Sequence, residues 1–135
     1  SGLERVVLVN SHLEPEQVWT LRELALPLLD VTRRANAERL TDEFRAGAGH
    51  AGRYETSLVL ADHPDLVDRA RMGTLEANMV NMPEAIRSGK TSFVAMGMDQ
   101  AYAGSPADAT AEEGERTFET LAEMLVELIR EVAAA

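Results

Sequence analysis

Cysteine is absent from this 135-residue chain, which removes disulfides, cysteine zinc ribbons and thiol nucleophiles together. The lack also fits a reducing compartment, so the expected location is cytoplasmic. Positive charge is scarce: 13 Lys and Arg stand against 23 Asp and Glu, for a net charge of -10. Such a surface repels phosphate backbones, and no nucleic-acid partner is expected. No apolar run approaches the roughly 20 residues that a membrane helix needs, so no membrane partner is expected either. Ser1-Gly2-Leu3-Glu4-Arg5 has no initiator Met and no basic-then-apolar signal pattern. A processed or internal chain start is expected. What the chain does have is 45% apolar residues, a normal share, and enough length for one domain with a core.

Val6-Val7-Leu8-Val9 is a continuous, mostly β-branched run, which suits a strand buried on both faces of a parallel sheet. The polar loop Asn10-Ser11-His12-Leu13-Glu14 follows. Pro15 and Glu16 then open a helical pattern with Val18, Leu21 and Leu24 on one face. Leu26–Val31 reads as the next strand, with Pro27 at its start or on an edge. Strand, loop, helix and strand make a βαβ unit, with a very short return from helix to strand. Arg34–Phe44 predicts a helix, residues 46–52 a flexible loop, and Tyr54–Leu60 a short helix ending before Asp62-His63-Pro64. Residues 72–104 carry no strong period and read as loops, with a short helix at Pro83–Arg87. Thr110-Ala111-Glu112-Glu113 is a capping box. It opens the clearest element, a helix with Phe118, Leu121, Leu125, Leu128, Ile129 and Val132 on one face, expected to pack on the sheet. No internal repeat or low-complexity linker appears, and a single domain over 1–135 is expected.

Two short constellations could carry chemistry. His12-x-Glu14 directly follows a strand, and open α/β sheets bind ligands outside the carboxyl ends of their strands. Imidazole and carboxylate together suit zinc or manganese. The competing reading is a solvated loop His and Glu. His50 follows a stretch of alanine and glycine, with Glu55 five residues later. Gly47, Gly49 and Gly52 let backbone approach a ligand closely, so Gly49 and Gly52 are candidate substrate contacts. The helix start that follows offers N–H groups to an anion or oxyanion. An imidazole suits proton transfer near neutral pH. Glu55 reads equally well as a dipole partner of the helix start. His63 reads as a turn residue and Trp19 as partly buried packing. Ser88-Gly89-Lys90-Thr91 is not a phosphate loop, because Glu84 occupies the first glycine position and no strand precedes it. No Ser/His/Asp order with a nucleophile elbow appears.

Together these segments resemble the creatininase (creatinine amidohydrolase) family. Val6 to Glu14 is similar to the family's strand ending in Asn-Gly-His-x-Glu, with Ser11 in place of the glycine. His50-Ala51-Gly52-Arg53-Tyr54-Glu55-Thr56-Ser57 matches its His-Ala-Gly-x-x-Glu-Thr-Ser block. Gly104-Ser105-Pro106, followed by Ala109-Thr110-Ala111-Glu112-Glu113-Gly114, resembles its Gly-Asp-Pro…Ala-Thr-Ala-Glu-x-Gly block. The resemblance implies an α/β/α sandwich on a mostly parallel sheet, of which residues 1–135 are the C-terminal portion. It implies two divalent metal ions, zinc or manganese with iron as an alternative, and hydrolysis of a cyclic or linear small-molecule amide. By residue, His12 and Glu14 become metal ligands, His50 the proton shuttle to the leaving nitrogen, and Glu55 a ligand or a ligand's support.

The departures from the family shape the expectations. Its N-terminal half carries a Glu-x-His pair and a bridging Asp, which nothing here supplies. A separate N-terminal chain is therefore the expected partner, in a homo- or hetero-oligomer, hexamers included. Ala46-Gly47-Ala48-Gly49 lacks the acidic residue that creatininase has before its second His, and Leu13 replaces an aromatic. The resemblance thus does not carry creatinine over as substrate. The stretch after Leu24 is also abbreviated. The alternative to an enzyme is a creatininase-like subunit or binding module without catalysis.

Overall fold

The structure, a computed structural model, describes Gly2 and residues 4–135. The chain forms two compact units. One comprises the stretch up to Arg39 with Thr120–Ala135; the other is Leu40–Glu119.

In the first unit, β1 (Leu8–Asn10) leads through a polar loop to α1 (Pro15–Glu23), and β2 (Leu28–Asp30) returns parallel to β1. Leu8, Val9 and Asn10 stand opposite Leu28, Leu29 and Asp30. The ladder extends by one bond at each end: Leu8 N–H donates to Pro27 O at 2.8 Å and Val31 N–H to Asn10 O at 3.0 Å. Pro27, with no N–H to give, supplies a carbonyl at the strand start. Ala25 adopts a left-handed φ of 52°, which turns the chain from α1 into β2 within a few residues. The expected βαβ unit and parallel pairing are therefore present, as an α/β fold with an incomplete sheet of two strands. The expectation of a strand buried on both faces is not met. Val9 is 59% exposed and Val6 45%, and among the described residues β1 pairs with β2 alone. Trp19, expected as packing, is 63% exposed.

The helix expected over Arg34–Phe44 is two short ones. α2 (Arg34–Ala37) ends at Glu38, and α3 (Asp42–Arg45) begins anew at Thr41, whose side chain accepts from Phe44 N–H. A threonine able to cap interrupts a helix that the intervening residues could have continued.

In the second unit, α3 is followed by α4 (Arg53–Asp62), a 3-10 turn at Pro64–Leu66, α5 (Arg69–Met72), α6 (Met82–Arg87), α7 (Phe93–Met96) and a 3-10 turn at Pro106–Asp108. α4 and α6 match expectation. α7 falls where no period was visible and α5 where no element was expected, as single turns capped by Ser92 and Asp68. Leu40, Ala48, Tyr54, Leu60, Met82, Met96, Met98, Tyr102 and Ala103 form the core. Unbranched methionines fill the irregular spaces between such short helices.

α8 (Ala111–Ala134) starts at the expected capping box, where Glu113 N–H donates to Thr110 Oγ1 at 3.1 Å. Its apolar stripe is only partly covered. Met124 is buried, Leu121, Leu125, Leu128 and Val132 are half-buried, and Phe118 and Ile129 are 43% and 47% exposed. The expected burial of the whole stripe against a sheet is not met with two strands. The first turn of α8 is fixed against α4 instead. Ser57, fully buried, accepts from Thr110 N–H at 3.0 Å. A Cβ on Gly114 would lie 2.0 Å from Ser57 O, so this approach requires glycine. Gly114→Ala is expected to destabilise the second unit by about 1–3 kcal/mol, the usual cost of overpacking. Denaturant unfolding of the full chain checks this; an unchanged midpoint would show that α8 does not seat there.

Candidate functional site

The first group of candidates lies at the carboxyl ends of the two parallel strands. Asn10 and Asp30 close β1 and β2 side by side, 3% and 0% exposed. Asp30 Oδ1 accepts from Asn10 Nδ2 (3.3 Å), Thr32 N–H (3.1 Å) and Thr32 Oγ1 (2.6 Å). Its Oδ2 accepts from Arg22 Nε (2.9 Å) and Nη2 (2.6 Å) on α1. Burial pushes the Asp30 carboxyl up, but the bonds from Thr32, Arg22 and Asn10 outweigh it and hold it below the usual carboxylate range.

His12 and Glu14 sit on the loop above these strand ends, both exposed. Glu14 is the N-cap residue of α1, yet its carboxylate makes no cap bond; Pro15 at the first helical position has no N–H to satisfy. Among the described residues neither the His12 ring nor the Glu14 carboxylate is engaged in a side-chain hydrogen bond.

The second group belongs to the other unit. His50 is half-buried in the turn that enters α4. Its Nδ1 is 4.0 Å from Glu55 Oε2, and its ring lies against Phe93 with centroids 4.9 Å apart. Its carbonyl accepts from Ala103 N–H at 2.8 Å. Glu55 Oε2 accepts from Ala51 N–H at 2.7 Å, where Ala51 takes a left-handed φ of 49°. Glu55, in the first turn of α4, thus binds the residue before the N-cap and also faces His50.

The free N–H groups expected at this helix start are partly taken. Glu43, 4% exposed, accepts from Tyr54 N–H at 2.8 Å and from Ser105 N–H at 2.6 Å. An anion does sit there, and it belongs to the chain itself. Gly52 is buried: a Cβ would meet Ala103 O at 2.5 Å and Glu43 Oε1 at 2.6 Å. Its close backbone contacts are with Ala103, Gly104 and Glu43. Gly49 is half-buried against the Phe44 ring. Burial, with Glu55 adding to it, raises the Tyr54 phenol to about 12, so this tyrosine stays neutral. His63, exposed, pairs with Asp62 at 2.8 Å, as a turn residue would.

The nitrogen and oxygen donors of His12 and Glu14 suit zinc or manganese by type. By number they do not complete a cage, since among the described residues no three His, Asp or Glu side chains gather around one point. Among the same residues no helix is long and apolar enough to cross a membrane.

Sequence reasoning did not single out Asp30, Glu43 or the amide of Asn10. Asp30 could have been found, because a carboxylate closing the run Leu28-Leu29 has to be paired if it is buried. Glu43 left no such signal in a segment of mixed charge.

The lowered Asp30 carboxyl has a definite consequence with pH. The unfolded chain takes up this proton first, near the ordinary value of 3.8, so the group's stabilisation is complete above that value and lost as pH falls below it. Unfolding midpoints are expected to hold from pH 8 to about 5 and to drop below about pH 4. Asp30→Asn should lower the neutral-pH midpoint and lose its share of the acid-induced fall. An acid profile identical to the parent's would contradict this.

A family model described as creatinine amidohydrolase matches residues 1–129 of the chain. Neither the curated proteins nor the solved structures yield a significant match. The matched span includes every candidate residue above, from His12 to the start of α8, and on this ground the chain belongs to the creatininase family, whose described activity is amide hydrolysis.

Proposed function

We propose that this chain contributes part of an amide hydrolase active site, with His50 as the proton-transfer group and His12 and Glu14 as metal donors. The observation that carries the reading is the turn into α4. Glu55 is fixed by Ala51 N–H and stands on the Nδ1 side of His50, 4.0 Å away. Phe93 lies against the same ring. Held on two sides, the imidazole keeps Nε2 for exchange with a substrate, and a proton delivered there to the leaving nitrogen lets the C–N bond break. Divalent ions, zinc or manganese with iron as the alternative, supply acidified water and a polarised carbonyl when bound.

The cage is completed, in this reading, by a separate N-terminal chain. The support is that no three donors gather among the described residues. An oligomer in which that chain meets this one is the expected working form, and cyclic or linear small-molecule amides are its substrates. The exposed Val6 and Val9 beside a two-stranded sheet are consistent with such a partner. Gly49 and Gly52 remain candidates only for backbone contact to substrate, and Gly52 is the weaker because its own chain fills the space around it.

A second reading is a non-catalytic subunit. Its support is that the Tyr54 N–H, a natural oxyanion donor, is already held by Glu43. Turnover of an amide panel by the assembled protein separates the two. His50→Ala and His50→Gln should each lower kcat by about 10²- to 10⁴-fold, the usual contribution of a positioned acid or base. Unchanged turnover in both variants would remove His50 from the reaction and favour a non-catalytic role for this chain within the assembly.

Metal binding tests the shared cage separately. Titrated alone with zinc or manganese after chelator treatment, this chain should bind less than one tightly held ion. Two stoichiometric ions in the isolated chain would contradict a cage shared with a partner.

A further inference from the structure

We propose that Asn10 is a positioning residue that clamps His12, and that Asp30 sets the direction of the clamp. This rests on the reading of His12 as a functional ligand, although the clamp can be tested without it. Asn10 ends β1 with its side chain turned inward. Its Oδ1 accepts from His12 N–H at 3.3 Å and from Gln17 Nε2 at 3.2 Å. Its Nδ2 donates to His12 O at 3.0 Å and to Asp30 Oδ1 at 3.3 Å. One buried carboxamide therefore holds both the N–H and the C=O of His12, a residue whose ring is exposed.

Only an amide side chain offers a donor and an acceptor in this arrangement. Alanine would leave both His12 backbone groups without these partners. Aspartate would lose the donor and set a second carboxylate against Asp30. Which way the amide points is decided by Asp30, which only accepts and therefore demands Nδ2. Asp30 is in turn fixed by Arg22 and Thr32. The order of support runs from Arg22 and Thr32 to Asp30, then Asn10, then the backbone of His12. A loop that water would leave loose thus starts from a fixed peptide, and misplacing a site by about 1 Å costs about 100-fold in rate.

The test uses the assembled full-length protein and three variants, Asn10→Ala, Asn10→Asp and Asp30→Asn. Asn10→Ala leaves the Asp30 bonds to Arg22 and Thr32 intact, so it keeps the question open to experiment if Asp30→Asn does not fold. Expected are faster amide exchange at His12 by about 10-fold or more, with exchange from His50 to Glu55 unchanged. Expected too is a kcat lowered about 10- to 100-fold with KM little altered, as for residues that orient a ligand. Unchanged exchange at His12 in Asn10→Ala overturns the proposal. So does unchanged kcat in a protein whose turnover His12→Ala abolishes. If His12→Ala retains full turnover, the reading of His12 itself falls, and the exchange comparison alone then decides whether Asn10 clamps the loop.

Discussion

A carboxylate sealed from water has to be satisfied by whatever surrounds it, and in the second unit everything near the His50 turn answers to that demand from Glu43. Its two oxygens take N–H groups from Tyr54 and Ser105, 11 and 62 residues away along the chain. Charge-assisted bonds of this kind are among the stronger ones, and an unmet buried acceptor is costly. The neighbours are shaped accordingly. Gly104, at φ 128°, has no room for a Cβ, which would fall 2.3 Å from Glu43 Oε2. Ala48 N–H donates to Glu43 O, and Ala103 N–H to His50 O, so the turn bearing His50 is tied at both ends to segments that Glu43 gathers.

Asp30 meets the same requirement in the first unit by other means. Side chains from α1, β1 and Thr32 just after β2 supply most of its partners, with only Thr32 giving a backbone N–H. Both buried acids lie beneath loops that carry candidate ligands, and neither is itself exposed to a substrate. The candidate side chains are exposed or half-exposed, and polar groups of the interior lie under the backbone that carries them. Rigid interior support beneath exposed reacting groups is a common way to obtain a site on a loop.

The legible part of the fold was what local rules decide. Pro15 after a polar loop marked α1, Asp62-His63-Pro64 marked the end of α4, and the capping box marked α8 within a residue. Long-range partners were not legible. Thr41 looked like an ordinary residue within a helix, and its cap bond to Phe44 N–H starts a new one there. The apolar content of Val6–Val9 and of the α8 stripe was read as burial, yet burial depends on which elements are packed over those faces. Residues of different family blocks also meet in space. Gly52 abuts Gly104, Ser57 holds Thr110, and Arg53 pairs with Glu113 at 3.1 Å. These contacts fix the start of α4 against Gly104 and the start of α8. His12 and Glu14, both exposed, were legible through the resemblance and their place after a strand.

The most direct measurement is an anomalous-scattering map of the assembled protein, grown with zinc or manganese. The expected result is metal bound through His12 and Glu14, with His50 free of metal. Metal held only by other residues, or a bond from His50 to the ion, would contradict the division of roles among these three side chains.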